Sequence, residues 1–327
     1  MKAWLLDQIG AFDAMTLRDV PDPEPEDGEA VLDLDFAALN PADKYLGLGQ
    51  YPAQPPMPHI LGRDGVGTIT QLNGPGHHWK PGDRAAILRG DTGVSRWGTF
   101  AQKVAVPLDN LIAIPKGWTD QQASCASLVY MTSYQAYTTW PDLLSPAMVL
   151  VTGASGGVGV ASIQLGKAMG YRVIGLSRDQ SKWDTLIEQG ADAIYDPNDT
   201  QWRKKLKERV GERKFDLAID NIGSSLFNEV LAVMGNLGRI SCVGRLAGPV
   251  PEFNTASLFF RRLKIGGVAV GTYTNAQAHA AWDSVVQLLN KTHARPLIDR
   301  VFAFDELPAA FARLSHGPLG KVLLKIR

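Results

Sequence analysis

The segment that most restricts the fold is Gly153-Ala154-Ser155-Gly156-Gly157-Val158-Gly159. It directly follows the apolar run 148–152 and opens a stretch with Ala161, Leu165 and Met169 at helical spacing. A strand, a glycine-rich turn and a helix in succession begin a strand–helix–strand unit. Read from its last glycine, the loop is Ala154-x-Gly156-x-x-Gly159, with alanine in the first position. Small residues let the backbone turn tightly and approach a pyrophosphate, whose charge the unpaired amides of a helix N-terminus stabilise. The pattern predicts dinucleotide binding through Ala154, Ser155, Gly156, Gly157, Val158 and Gly159. A tight turn whose glycines serve only packing is the competing reading.

The rest of the chain supports an α/β class. From about residue 120 helices and apolar strands alternate. A helical pair is expected over 121–140, then strands at 148–152, 171–176, 193–195, 215–220 and 239–243, with helices at 180–189, 202–210 and 226–234 between them. Near-continuous apolar strands separated by helices indicate a doubly wound parallel sheet. Before residue 120 the segments are short and rich in Pro and Gly. Leu32, Leu34, Phe36 and Ala38 alternate with Asp33 and Asp35, which predicts a strand with one buried face. Further strands are expected at 66–72, 83–88 and 100–106, separated by breakers such as Asn73-Gly74-Pro75-Gly76. A helix near 276–289 and a last strand at 321–326 complete the pattern. At 327 residues, two domains are the natural expectation.

The end of the second strand of such a unit selects the cofactor. An NAD site carries Asp or Glu there, roughly 20 residues after the glycines, to accept from the ribose hydroxyl. This chain has Ser177, then Arg178, with Lys182 a turn later. A carboxylate would repel a 2′-phosphate, whereas an arginine fork and a lysine attract it. NADPH is therefore expected over NADH. Arg178 and Lys182 as solvated residues at a helix start is the plainer alternative.

Charge and composition exclude several classes. The 33 basic residues balance 33 acidic ones, so no broad field draws nucleic acid or an anionic membrane. No apolar run is long enough to span a membrane, and the N-terminus lacks the apolar stretch and cleavage site of a signal peptide. A cytoplasmic protein is expected. Cys125 and Cys242 allow one disulfide in principle, but two lone thiols in a reducing compartment fit better.

The chain resembles the medium-chain dehydrogenase/reductase superfamily, specifically its zinc-free quinone oxidoreductase (zeta-crystallin-like) branch. The resemblance rests on Asn40-Pro41-Ala42-Asp43-Lys44-Tyr45, Gly49-Gln50-Tyr51-Pro52, Lys80-Pro81-Gly82-Asp83-Arg84-Ala85 and Met131-Thr132-Ser133-Tyr134. The glycine loop, Gln189-Gly190-Ala191-Asp192 and Gly320-Lys321-Val322-Leu323-Leu324 complete it. It implies a GroES-like, β-rich catalytic domain from residues 1–120 and 268–327, with a Rossmann NADP-binding domain of residues 121–267 inserted. It also implies Asn40, Tyr45 and Thr132 near the nicotinamide, Tyr51 at the substrate pocket, and Lys182 and Tyr195 at the adenosine end. Relatives pair through a strand matching 263–270, which implies a homodimer; a buried sheet strand would look the same. Gly47, where the family often has arginine, and Arg63-Asp64, in place of Thr-Glu or Phe-Glu, are departures that alter the pocket.

In zinc-dependent members of the superfamily the metal ligands match Asn40, Arg63 and about Leu128, and these do not form a ligand set. His77 and His78 share a loop in which both cannot easily point at one ion; loop or core positions are expected for all six histidines. Without a Lewis acid, alcohol oxidation loses its alkoxide stabilisation. NADPH-dependent hydride transfer to a quinone or an α,β-unsaturated carbonyl compound is easier, with Asn40, Tyr45 and Tyr51 as donors to the developing oxyanion or as aromatic packing. An enoyl-thioester (acyl-CoA) reductase is an alternative, with Arg245, Arg261 and Arg262 as a basic entrance or as solvated charges. A non-catalytic NADPH-binding sensor or scaffold is another.

Overall fold

The computed structural model describes residues 1–75, 78–88, 90–211, 214–248 and 252–327. The chain forms two compact units: Met1–Leu128 with Tyr273–Trp282 and Arg295–Arg327, and Val129–Thr272 with Asp283–Ala294.

In the first unit, short alternating strands pair mainly antiparallel. The sheet runs Ile298–Ala303, Lys321–Lys325, Glu29–Ala38, Asp64–Asn73, Arg84–Ile87, Leu111–Ala113, and Lys103–Pro107 pairs with Glu29–Ala38 off this path. Ile298–Ala303 and Lys321–Lys325 pair parallel. Leu32, Leu34, Ile69, Val104, Val106, Val322 and Leu324 belong to its main core. The expected single face of Leu32, Leu34, Phe36 and Ala38 does not hold. A register shift between Leu34 and Phe36 interrupts the pairing with Asp64–Asn73. Such a bulge turns the following side chains to the other face. Phe36 and Ala38 accordingly pack with Cys125 and Leu323 instead. The strand expected from residue 100 begins at Lys103, because the Phe100 carbonyl accepts from the Trp4 amide and Ala101 bridges Ala3.

In the second unit six strands pair parallel in the order Ala193–Tyr195, Arg172–Leu176, Met148–Val151, Phe215–Asp220, Met234–Cys242, Lys264–Gly267. All four residues of Met148–Val151 are buried, as a central strand requires. The chain builds outward from this strand to one edge, then returns to place Phe215–Asp220 on its other side. The strand order therefore reverses between Met148–Val151 and Phe215–Asp220, and a doubly wound sheet opens its crevice at the carboxyl ends of such a pair.

The helix expected to 234 stops at Val233, and Met234 already pairs with Phe215. Pairing resumes at Leu217 with Arg239, so 235–238 bulge outward, with Leu237 at φ 59°. Among the described residues, no helix is long and apolar enough to cross a membrane.

Candidate active site and dinucleotide crevice

In the second unit, the glycine loop leaves Met148–Val151 with Gly153 at φ 59°, a conformation that favours glycine. A Cβ on Gly159 would stand 2.3 Å from the Gly153 carbonyl oxygen and 2.6 Å from that of Ala154, so the helix start packs against the turn too closely for any side chain. Gly156 caps the helix Gly157–Ala168, and the Val160 amide donates to Gly156 O at 2.9 Å. The Gly156 amide donates to Gly153 O at 3.0 Å, and the amides of Gly157, Val158 and Gly159 are those a helix N-terminus leaves for an anion. Ala154 is buried, while Ser155, Gly156, Gly157 and Val158 are half-buried.

The two strands flanking the reversal are tied together by Asp220, a buried residue that the sequence reading did not single out. Its carboxylate accepts the Thr152 hydroxyl at 2.7 Å and the amides of Ile222 and Gly223 at 3.2 Å. Asn221 returns its side-chain Nδ2 to the Thr152 carbonyl at 2.8 Å. Among the described residues, three buried side-chain polar atoms in this unit remain without a partner: Gln135 Oε1 on the helix Ser127–Thr138 and, at the strand ends, Ser177 Oγ and Asn221 Oδ1. A buried polar group left unbonded is costly, and Ser177 and Asn221 directly follow strand ends of this sheet. A ribose hydroxyl could satisfy either of their atoms, so the tight glycine turn and these two atoms fit a dinucleotide.

Sheet register brings together several of the expected binding residues. The Ala154 amide donates to Leu176 O at 3.0 Å, and the Ser177 amide donates to Tyr195 O at 2.9 Å. The loop, Ser177 and half-buried Tyr195 therefore lie at one end of three adjacent strands. Arg178 is exposed. Lys182 pairs with Asp179 at 3.0 Å with its side chain only 12% exposed. Hydrogen bonds from Ser181 and Lys182 hold the Asp179 carboxyl at about 2. Thr132 lies half-buried on the helix Ser127–Thr138. Arg261 is not freely solvated: it donates to the carbonyls of Leu231 and Met234 at 2.7 and 3.0 Å, closing the end of the helix Leu226–Val233.

The first unit holds a continuous polar chain. Asn40 precedes the helix Pro41–Gly47 in an extended conformation and is buried. Its amide oxygen accepts from Lys321 Nζ at 2.6 Å, and its Nδ2 donates to Asp64 at 2.9 Å. Lys321 also reaches Asp64 at 3.3 Å, and the Ser127 hydroxyl donates to the other Asp64 oxygen at 3.1 Å. The Asn40 backbone amide donates to Asp43 at 2.8 Å. Asp43 is buried and accepts from Arg63 Nε at 3.2 Å. Arg63 donates onward to the Tyr51 hydroxyl at 3.1 Å, with its guanidinium carbon 4.5 Å from the Tyr51 ring centre. Burial pushes the Asp43 carboxyl up to about 6, against the pull of the adjacent Arg63 cation. Asn40 and Tyr51 are thus joined through Asp43 and Arg63, and Tyr45 is half-buried on the same helix as Asp43.

Asp64, Ser127 and Lys321 were not predicted as site residues. Their signal was faint: each charged residue opens an apolar strand, where a core-facing charge needs a partner.

At the positions matched to metal ligands, Asn40 is spent on Lys321 and Asp64, and Arg63 is a cation. Cys125 is buried, and desolvation pushes its thiol up to about 12. Both cysteines are free. Among the described residues, no group of three or more His, Cys, Asp or Glu side chains could hold a metal ion. His59 is a core residue, while His279 and His316 contact the carbonyls of Asp109 and Ala312. His77 lies outside the described residues.

A family model described as zinc-binding dehydrogenase matches residues 157–291, and one described as alcohol dehydrogenase GroES-like domain matches residues 26–116. Quinone oxidoreductase from Pongo abelii is 24% identical over 327 residues, covering 99% of this chain and 97% of its own. Acryloyl-coenzyme A reductase from Sulfurisphaera tokodaii is 28% identical over 332 residues, covering 94% and 96%. A solved structure described as an NAD-dependent alcohol dehydrogenase has a TM-score of 0.91 at 26% identity, with both chains covered in full. Escherichia coli quinone oxidoreductase complexed with NADPH has a TM-score of 0.89 at 20% identity, again over both whole chains, and this likeness shows the fold alone. The chain belongs to the medium-chain dehydrogenase/reductase superfamily, a family of oxidoreductases. Within it, the chain falls in the quinone-oxidoreductase-like branch, with a GroES-like domain and a Rossmann-like parallel sheet. The zinc that the family model's description implies does not fit the donor set at Asn40, Arg63 and Leu128.

Proposed function

We propose that this chain is an NADPH-dependent reductase that transfers hydride to a quinone or an α,β-unsaturated carbonyl compound without a metal. The observation that carries this reading is the glycine turn beside the strand reversal. There the second strand ends in a buried serine hydroxyl without a partner rather than a carboxylate. When bound, NADPH supplies the hydride. Gly157, Val158 and Gly159 hold the pyrophosphate on backbone amides, Gly156 closes the turn with its amide on the Gly153 carbonyl, Ser177 and Asn221 meet ribose hydroxyls, and exposed Arg178 neutralises the 2′-phosphate. Lys182 adds to that charge by turning from Asp179, and Thr132 and Tyr195 border the cofactor. Asn40, its side chain bonded to Lys321 and Asp64, anchors the start of the helix that carries Tyr45, while Tyr45 and Tyr51 order the substrate side and offer protons to the oxygen on which charge develops.

An enoyl-thioester reductase keeps a place because one relative is named acryloyl-coenzyme A reductase, and a thioester carbonyl suits the same donors. The commitment of Arg261 to helix carbonyls weakens the basic entrance that a coenzyme A substrate would favour. Steady-state NADPH oxidation with a quinone, an enone and an enoyl-CoA separates these readings. Tight NADPH binding with turnover of none of them would leave the chain a nucleotide-binding scaffold and overturn the enzyme reading.

Two further expectations accompany it. The strand Lys264–Gly267 forms a sheet edge, with Ile265 38% exposed and Phe259 and Phe260 nearby in sequence at 63% and 79%. These suit pairing with a second copy of the chain, and a monomer by sedimentation equilibrium would reject that. Two unpaired thiols suit a reducing cytoplasm.

A further inference from the structure

Arg63 departs from the family pattern, and its geometry gives it a task. A phenol has one proton to donate and lone pairs to accept, whereas a guanidinium only donates. The bond from Arg63 Nη1 therefore occupies an acceptor position of the Tyr51 hydroxyl and cannot use its proton. Among the described residues, no group accepts that proton. Arg63 itself is fixed at three points, on Asp43 Oδ1, on the Ala42 carbonyl at 3.3 Å and on Tyr51, with its side chain 12% exposed. Its charge is balanced by the Asp43 carboxylate, itself fully buried. The device thus presents one polarised O–H and no uncompensated cation.

The geometry points to Arg63 as a positioning residue that aims and polarises the Tyr51 phenol at the carbonyl oxygen of a neutral substrate, an enone or ester-like acceptor rather than a carboxylate. This rests on the reductase reading. As hydride reaches the β-carbon, the alkene π pair moves toward oxygen and forms an enolate. The enolate oxygen takes the Tyr51 proton, and the O–H bonding pair stays on the phenolate beside Arg63. Water then reprotonates Tyr51, and the enol tautomerises to the saturated ketone. A donor within hydrogen-bond polarisation of a cation is strengthened by it, and a carboxylate substrate would add a charge that nothing here neutralises.

The test compares wild type with Tyr51→Phe, Arg63→Lys, Arg63→Met and the Tyr51→Phe/Arg63→Met double variant, using cyclohex-2-enone and crotonate. Arg63→Met strands a buried carboxylate and can unfold the protein, so Asp43→Asn/Arg63→Met, which removes both charges, stands in for it. Tyr51→Phe is expected to lower kcat for the enone by about 10²-fold, with NADPH affinity within about twofold of wild type. The double variant is expected to be no slower than Tyr51→Phe alone, since Arg63 acts through Tyr51. Arg63→Lys is expected to recover part of the loss, and crotonate to be a poor substrate throughout. Binding of 4-nitrophenolate, an enolate mimic followed by its absorbance, is expected to weaken in Tyr51→Phe. Unchanged enone turnover and unchanged 4-nitrophenolate binding in Tyr51→Phe would overturn the inference. If wild type reduces neither enone nor quinone yet binds 4-nitrophenolate through Tyr51, the reductase reading falls and the oxygen-binding device stands. If it does neither, both fall.

Discussion

Asp64 and Asp220 are both buried carboxylates at strand ends, one in each unit, yet their surroundings differ in kind. Asp220 is satisfied by a threonine hydroxyl and two backbone amides, all neutral. Asp64 is satisfied by a serine, an asparagine and a buried ammonium. Neutral donors drawn largely from the local backbone satisfy the strand end, and neighbouring buried atoms, Asn221 Oδ1 and Ser177 Oγ, are without a partner. Ionic partners drawn from remote segments make a closed network that passes from Lys321 through Asn40, Asp43 and Arg63 to Tyr51. The first arrangement leaves polar atoms unpaired beside the glycine turn. The second spends its polar groups on one another and presents a single donor.

Breaking the ionic network should have the largest effect. Lys321→Met leaves Asp64 buried without its cation, and removal of one partner of a buried pair typically costs about 3–5 kcal/mol. A chemical denaturation curve checks this; a loss below about 1 kcal/mol would show that Asp64 does not depend on the ammonium.

The Asp43 carboxyl gives the next effect, and its sign is the reverse of a paired surface carboxylate. Its folded value lies near 6, above the 3.8 of the free group, so between these values the native state holds more protons than the unfolded state. Stability from this group is full below about 4 and is lost as pH rises to about 6, by an amount of order 2–3 kcal/mol. Asp43→Asn should flatten that part of the stability–pH curve. An identical slope in the variant would place the titration elsewhere.

The proposed ribose-phosphate site is probed by Ser177→Asp combined with Arg178→Ala. Loss of one charge-assisted contact and gain of a repulsion should weaken NADPH by about 10- to 100-fold relative to NADH. Fluorescence titration with both cofactors checks it, and unchanged selectivity would sink the ribose-phosphate assignment.

The smallest effect serves as the control. Arg18 and Asp7 pair at 2.5 Å with side chains 44% and 59% exposed. Arg18→Ala should shift stability by less than about 0.5 kcal/mol. A larger loss would mean that pairing itself, rather than burial, distinguishes the Lys321 network.

Much of the second unit was legible in the sequence. The helix Trp202–Val210 and the strands Ala193–Tyr195 and Phe215–Asp220 fall where periodicity placed them, because each is a contiguous apolar or amphipathic run bounded by polar or glycine residues. The first unit was less legible. A bulge at the middle of Glu29–Ala38 reversed the face of Phe36, and no local pattern announces a bulge whose partner strand is remote. The glycine loop could be read because its function is carried by consecutive residues. Asp220 with Thr152, and Lys321 with Asn40, could not, since 68 and 281 positions separate the partners.

The sequence by itself determined the class of fold, the glycine turn and the residue types available at the end of the second strand. These are properties of backbone conformation and of neighbours along the chain. Only the tertiary structure decided that Arg63 serves Tyr51, that Arg261 closes a helix, and that Lys321 rather than solvent partners Asp64. Those outcomes depend on strand register and burial, which turn the same charged side chain into a solvated surface group or a partner that the core cannot do without.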